Sequence, residues 1–239
     1  MAGSDCGDLW RAPVVDIGRQ HVGGKRVAEV GRMSGGGSEG ASAHSSRAEL
    51  EALLTRIIEE PARRDEIAEQ IEQAFTVQHA VLVLDMSGFS RTTQLHGLVA
   101  FLVMIHQMRR LSAPVIAARG GSLLKAEADN LYCLFDTVED AVWVGREIIR
   151  RLTAANVDLQ DGLQLYASIG IGYGPILVLP GEDMFGDEVN LACKLGEDVA
   201  QAGDVLLTEA ARAALDPAVA TAPARASISG LTLLYHAVH

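Results

Sequence analysis

The 239-residue sequence predicts an α+β fold: a ferredoxin-like βαββαβ core with extra C-terminal strands and helices packed on the sheet. Three observations carry that expectation. The apolar run Ala80-Val81-Leu82-Val83-Leu84 is continuous, as in a strand buried on both faces. Two stretches of helical spacing, at about 98–118 and 138–152, separate it from later apolar segments. Two of those segments, 122–128 and 131–135, flank Asp129-Asn130, which has turn composition. The order is therefore strand, helix, strand, strand, helix, strand.

Before this core, residues 1–46 are rich in Gly and Ser and lack any period, with Gly35-Gly36-Gly37-Ser38 the most flexible by composition. The segment reads as poorly ordered, and Met33 as an alternative translation start. Residues 47–76 read as a helical arm. Leu50, Leu53, Leu54, Ile57 and Ile58 share one face, Pro61 breaks the helix, and Ile67, Ile71 and Phe75 mark a second one. The arm fits a packing role on the domain, or else a dimerisation or signal-relay role. The main domain spans 77–239. Leu165, Ala167, Ile169 and Ile171 alternate, as in a strand over 163–172, and Gly174 reads as a hairpin turn into a return strand at 176–179. A helix over 187–200 opens after Gly186 with acids in its first turn. A strand at 205–208, a helix at 209–215 and a hairpin through Ser229-Gly230 complete the chain.

Composition narrows the function. Hydrophobic residues make up 49%, enough for a sizeable core, although aromatics are only 5%. Lys and Arg number 20 against 31 Asp and Glu, a net charge of −11. That excludes a nucleic-acid backbone as the expected partner, because such binders carry a basic footprint. It leaves a nucleotide open, since divalent metal and a few local cations can handle its phosphates. No run suits a membrane helix, and the start lacks a signal-peptide core. Cys6, Cys133 and Cys193 show no paired spacing. A reducing cytoplasm is the expected setting.

Asp85 ends the buried run, where an acid is costly unless a cation or donors satisfy it. In a ferredoxin-like sheet strands one and three are neighbours, and the turn between strands two and three lies at the end of strand one. Asp85 and Asp129 should therefore meet. Two carboxylates there repel, and a divalent cation relieves the repulsion. Mg2+ favours one or two carboxylates plus substrate phosphates. Two such ions would activate an attacking oxygen and stabilise a leaving one. The Met86-Ser87-Gly88-Phe89-Ser90 turn offers backbone N–H groups to phosphate oxygens. Taken singly, each Asp reads better as a helix cap or a turn residue; taken together with the strand order, the site reading is favoured.

Asp85-Met86-Ser87-Gly88-Phe89-Ser90, Lys125-Ala126-Glu127-Ala128-Asp129 and Phe185-Gly186-Asp187-Glu188-Val189-Asn190-Leu191-Ala192 follow one another in an order that resembles the signature blocks of class III nucleotide cyclase catalytic domains. Gly120-Gly121 and Ile169-Gly170-Ile171-Gly172 fit the same pattern, and the likeness runs over about 77–215. The resemblance implies attack of a ribose 3′-hydroxyl on the α-phosphate, giving a cyclic nucleotide and pyrophosphate. It implies that Asp85, Asp129 and the Met86 carbonyl hold two Mg2+ or Mn2+ ions. Lys125 and Asp183 match the base-reading positions in their adenine-selective form, so ATP is the expected substrate. Asn190 matches the ribose-positioning residue, and Lys194 the position of a charge-stabilising Arg. Ser87, Gly88, Phe89 and Ser90 would line the triphosphate. The family site lies between two subunits, which implies a homodimer.

Four positions depart from the family pattern: Lys194 and Ser168 stand in place of Arg, Ala128 in place of Gly, and Ser229 where a Lys is common. Arg91 and Arg119 are candidate substitute cations. Three readings stay open: an adenylate cyclase, a cyclase for GTP or a pyrimidine nucleotide, and a nucleotide-binding regulatory domain without turnover.

Overall fold

The computed structural model of the protein describes residues 46–87, 89–228 and 230–239, with the backbone alone for 89–92 and 231. The Gly- and Ser-rich segment, with Met33, lies outside them but for Ser46. That serine caps helix α1 (Arg47–Glu59) by accepting from the Glu49 N–H at 3.3 Å.

Four strands make the core: β1 (Thr76–Ser87), β2 (Ser122–Glu127), β3 (Asn130–Phe135) and β4 (Tyr166–Leu179). They lie in the order β2-β3-β1-β4, each antiparallel to its neighbour, which is the βαββαβ arrangement. Beyond β4 the sheet continues through β6 (Val205–Thr208), β8 (Leu231–Val238) and β7 (Thr221–Ile228). A short β5 (Asp183–Phe185) pairs with the far end of β4.

Burial explains why β1 is central. Ala80 to Leu84 are all 0% exposed, because both faces of the strand are covered. Leu82, Leu84 and Met86 pack with Met104 and Met108 of α3 (Phe89–Ala118) and Ile148 of α4 (Val138–Ala155). Val81 and Val83 pack with Val189 and Ala192 of α5 (Asp187–Cys193) on the opposite face. Each such buried Val, Leu, Ile or Met side chain contributes about 1.5–3 kcal/mol. The arm is α1 followed by α2 (Arg64–Phe75), and it lies against the domain: Leu50, Ile67, Ile71 and Phe75 cluster with Leu179 at the end of β4.

Several elements differ from the sequence expectation. Gly174 does not turn the chain. β4 runs unbroken for 14 residues and pairs with β1 from Thr76↔Leu177 to Ser87↔Tyr166. Its glycines serve close approach instead. A Cβ at Gly170 would lie 2.0 Å from the Ala192 carbonyl oxygen, and one at Gly172 would lie 2.5 Å from that of Glu188. α5 thus lies directly on the strand. The helix expected over 187–200 is α-helical only to Cys193, then π-helical over Lys194–Val199. α3 starts nearer its N-terminus than expected and is interrupted at Gly97, whose φ is +80°. β7 also begins earlier. It is the edge strand, which is why it tolerates Pro223. α6 (Glu209–Ala214) and β6 match their expected ranges. No helix among the described residues is long and apolar enough to cross a membrane.

Candidate active site

Strand alternation decides which side chains reach the site. Val81 and Val83 face α5, so Asp85 does too. Asp85 stands opposite Ser168 on β4, while the pair Leu84↔Leu131 sets the strand end beside the β2–β3 turn that carries Asp129. Asp129 lies near enough for its charge to act on Asp85. Burial pushes the half-buried Asp85 carboxyl up to about 6, and the charges of Asp129 and Glu197 add to the push.

Glu197 is a third acid at this end of the sheet, and one not singled out from the sequence. The π-helical turn directs it to Asn130, whose Nδ2 donates to Glu197 Oε1 at 2.7 Å. Burial raises its pKa, and the charges of Asp198 and Asp129 reinforce that. Among the described residues no group of three or more His, Cys, Asp or Glu side chains is arranged to hold a metal ion unaided. Oxygen donors from two carboxylates fit Mg2+ or Mn2+, which complete their shell with water and phosphate. The donor set therefore suits such an ion bound together with a triphosphate.

A second cluster forms around Lys125. Its Nζ lies 2.7 Å from Glu127 Oε2 and 3.6 Å from Asp183 Oδ1, and 5.5 Å from the Tyr132 ring centroid. The bond to Glu127 does most to raise the Lys125 pKa. Asp183 is held by β5 and accepts from the Met184 N–H at 3.0 Å. The two residues expected to read a base are thus together. Glu127 and Tyr132 were missed, although alternation along β2 puts Glu127 on the Lys125 face.

The remaining expected residues fall as follows. Met86 buries its side chain in the opposite core, at 4% exposure, so only its backbone is available to the site. Ser87 closes β1, and Phe89 and Ser90 open α3. Gly88 and the side chains of Phe89, Ser90 and Arg91 lie outside the described residues. Asn190 is exposed on α5, and Lys194 begins the π-helical turn. Ser168 is 2% exposed and stands across from Asp85 on the same face of the sheet. Arg119 is not at the site. It ion-pairs with Asp140 at 3.3 Å and lies 4.2 Å over the Trp143 ring, so it ties α3 to α4. A cation that does reach this region is Arg109 of α3, whose Nη2 donates to the Ala128 carbonyl at 2.7 Å.

α5 is fixed by Glu188, which accepts from the Tyr173 N–H at 3.1 Å and from Thr208 Oγ1 at 2.6 Å. Its acidity thus serves a cross-link to β4 and β6, besides the helix dipole expected from sequence.

No family model matches the chain. A curated relative, an adenylate cyclase from Streptomyces coelicolor, is 29% identical over 149 residues, which is 62% of this chain. The matched stretch is 35% of that relative's length. The catalytic core of a rhodopsin–guanylyl cyclase with converted specificity, in complex with ATPalphaS, superposes with a TM-score of 0.59 at 16% identity. That match covers 69% of this chain and 98% of the other. An adenylate/guanylate cyclase/hydrolase from Silicibacter pomeroyi gives 0.58 at 24% identity over the same shares. The fold is that of class III nucleotide cyclase catalytic domains. The chain's sequence likeness is to the adenylate cyclase named above.

Proposed function

We propose that the protein is a nucleotide cyclase that converts ATP to 3′,5′-cyclic AMP and pyrophosphate, at sites shared between the two chains of a cytoplasmic homodimer. The observation that carries this reading is the Lys125–Asp183 pair, 3.6 Å apart, on the domain where Asp85 feels the charge of Asp129. Asp85, Asp129 and the Met86 carbonyl would hold two Mg2+ or Mn2+ ions. When bound, these supply positive charge at the triphosphate and lower the pKa of the ribose 3′-hydroxyl.

The chain's own residues do the rest. Lys125 donates to an adenine ring nitrogen, and Asp183 accepts from the exocyclic amine. Glu127 takes one of the three Lys125 donors and keeps Nζ in place between the two acids. Asn190 holds the ribose so that its 3′-oxygen lies in line with the α-phosphorus, which removes much of the entropic barrier. The bond from that oxygen to phosphorus forms, the bond to pyrophosphate breaks, and the proton passes to water. Lys194 brings a point charge to the α-phosphate in place of a planar fork. Backbone N–H groups of Ser87, Gly88, Phe89 and Ser90 receive the remaining phosphate oxygens.

One observation favours a second reading, a nucleotide-binding regulatory domain without turnover: Ser168, where the family pattern has an Arg, is buried and uncharged. Incubating the purified protein with each nucleoside triphosphate and Mg2+ or Mn2+ tests both. Cyclic product from ATP in preference to GTP, CTP and UTP is expected. Product from another base alone would replace the adenine assignment. A folded dimer that yields none would leave the second reading.

A further inference from the structure

The loop joining β2 to β3 has two central residues, Ala128 and Asp129, closed by the pair Glu127↔Asn130. Ala128 has φ +48°, and it is the one non-glycine residue with positive φ among the described residues. Glycine is the residue that two-residue hairpin loops favour at such a position. In the left-handed region the Cβ of any other residue crowds its own backbone, and the conformation persists only where its surroundings enforce it.

The enforcing contact is visible. Arg109 Nη2 donates to the Ala128 carbonyl at 2.7 Å, reaching across 19 residues of sequence. Its helix is a firm base, since Met104, Ile105 and Met108 beside it are buried in the core. The Ala128 carbonyl and the Asp129 N–H belong to one planar peptide unit. Holding that oxygen holds the plane, and with it the direction in which the Asp129 side chain leaves the backbone.

We propose that Arg109 is a positioning residue for the candidate metal centre: through the Ala128 carbonyl it keeps the β2–β3 loop in the conformation that sets the Asp129 carboxylate beside Asp85. The inference rests on the metal reading given above. The chain has an alanine where a glycine would adopt this loop unaided, and a guanidinium supplies the missing constraint. A fixed planar fork suits that task better than an ammonium on a flexible stem.

A double-mutant cycle tests it, with Mn2+ affinity measured by calorimetry and the fold checked by circular dichroism. Arg109→Met is expected to weaken Mn2+ binding about ten-fold, the scale seen when a group that orients a metal ligand is lost. In the Ala128→Gly background, where the loop needs no hold, the same substitution should cost less than about three-fold. Arg109→Lys should fall between, and it carries the cycle if the methionine variant does not fold. Amide exchange at Asp129 and Asn130 without metal should quicken in Arg109→Met but not in Arg109→Met/Ala128→Gly. Unsubstituted protein that binds no Mn2+, either alone or with a non-cyclisable ATP analogue, would overturn the metal reading and this proposal with it. Binding that survives Arg109→Met, or weakens equally in both backgrounds, would overturn the role of Arg109 alone.

Discussion

Asp85 ties stability to function at a single residue. Its carboxyl has a pKa of about 6 in the folded chain against 3.8 for an unperturbed Asp. The folded state therefore binds this proton more tightly than the unfolded chain does. The ionised carboxylate lowers stability above about pH 6, and that penalty fades as pH falls from about 6 to about 4. Asp85→Asn should accordingly stabilise the metal-free protein at pH 7.5 by roughly 1 kcal/mol, a figure already reduced for a half-exposed group. The gain should vanish at pH 4 in parallel urea melts; an equal gain at both pH values would assign it to packing instead. The same substitution should abolish cyclic product. At Lys125 the prediction concerns selectivity. Lys125→Glu places a third carboxylate beside Glu127 and Asp183 and removes the donor to adenine. The ratio of ATP to GTP turnover should fall at least ten-fold, since an unpaired buried donor or acceptor is worth about that much. An unchanged ratio would remove Lys125 from the base pocket.

Among the elements, β4 decides how close the site can be built. Gly170→Ala would drive a methyl into the Ala192 carbonyl, 2.0 Å away, so either α5 lifts or the strand shifts. A loss of more than about 2 kcal/mol is expected in denaturant melts, the range of overpacked cores. At Gly174 the nearest atom is the flexible Glu188 Cγ at 3.0 Å, and Ala should be tolerated far better there. These glycines also show where sequence reading stops. β1 was legible because five apolar residues in a row admit few alternatives. The βαββαβ order was legible because its helices and strands differ in period. Gly174 was misread as a turn because glycine marks both turns and close approaches, and one chain gives no sign of what approaches. The approach of Asp85 to Asp129 was expected from strand order, and Lys125 and Asp183 were singled out by the family resemblance. Arg109 and Glu197 were not legible, because their roles depend on a strained loop and a π-helical turn, neither of which has a periodic signal.

For the whole molecule, the question is whether one chain or two make the site. Lys125 and Asp183 meet within one chain, and within it Asp85 feels the charge of Asp129. In the proposed arrangement the metal-binding pair of one protomer faces the base and ribose residues of its partner. An Asp85→Asn chain would then be defective on one half of each site, and an Asn190→Ala chain on the other. Each variant alone should be nearly inactive. Mixed, and allowed to exchange subunits, half of the dimers become heterodimers, in which one site carries both changes and the other carries none. The mixture should thus recover roughly a quarter of the unsubstituted rate, as two-fold symmetry with independent sites requires. If every site lay within one chain, mixing would restore nothing, because no protomer would be intact. Recovery that rises with mixing time toward that plateau, followed by cyclic AMP release, would place the site across the interface.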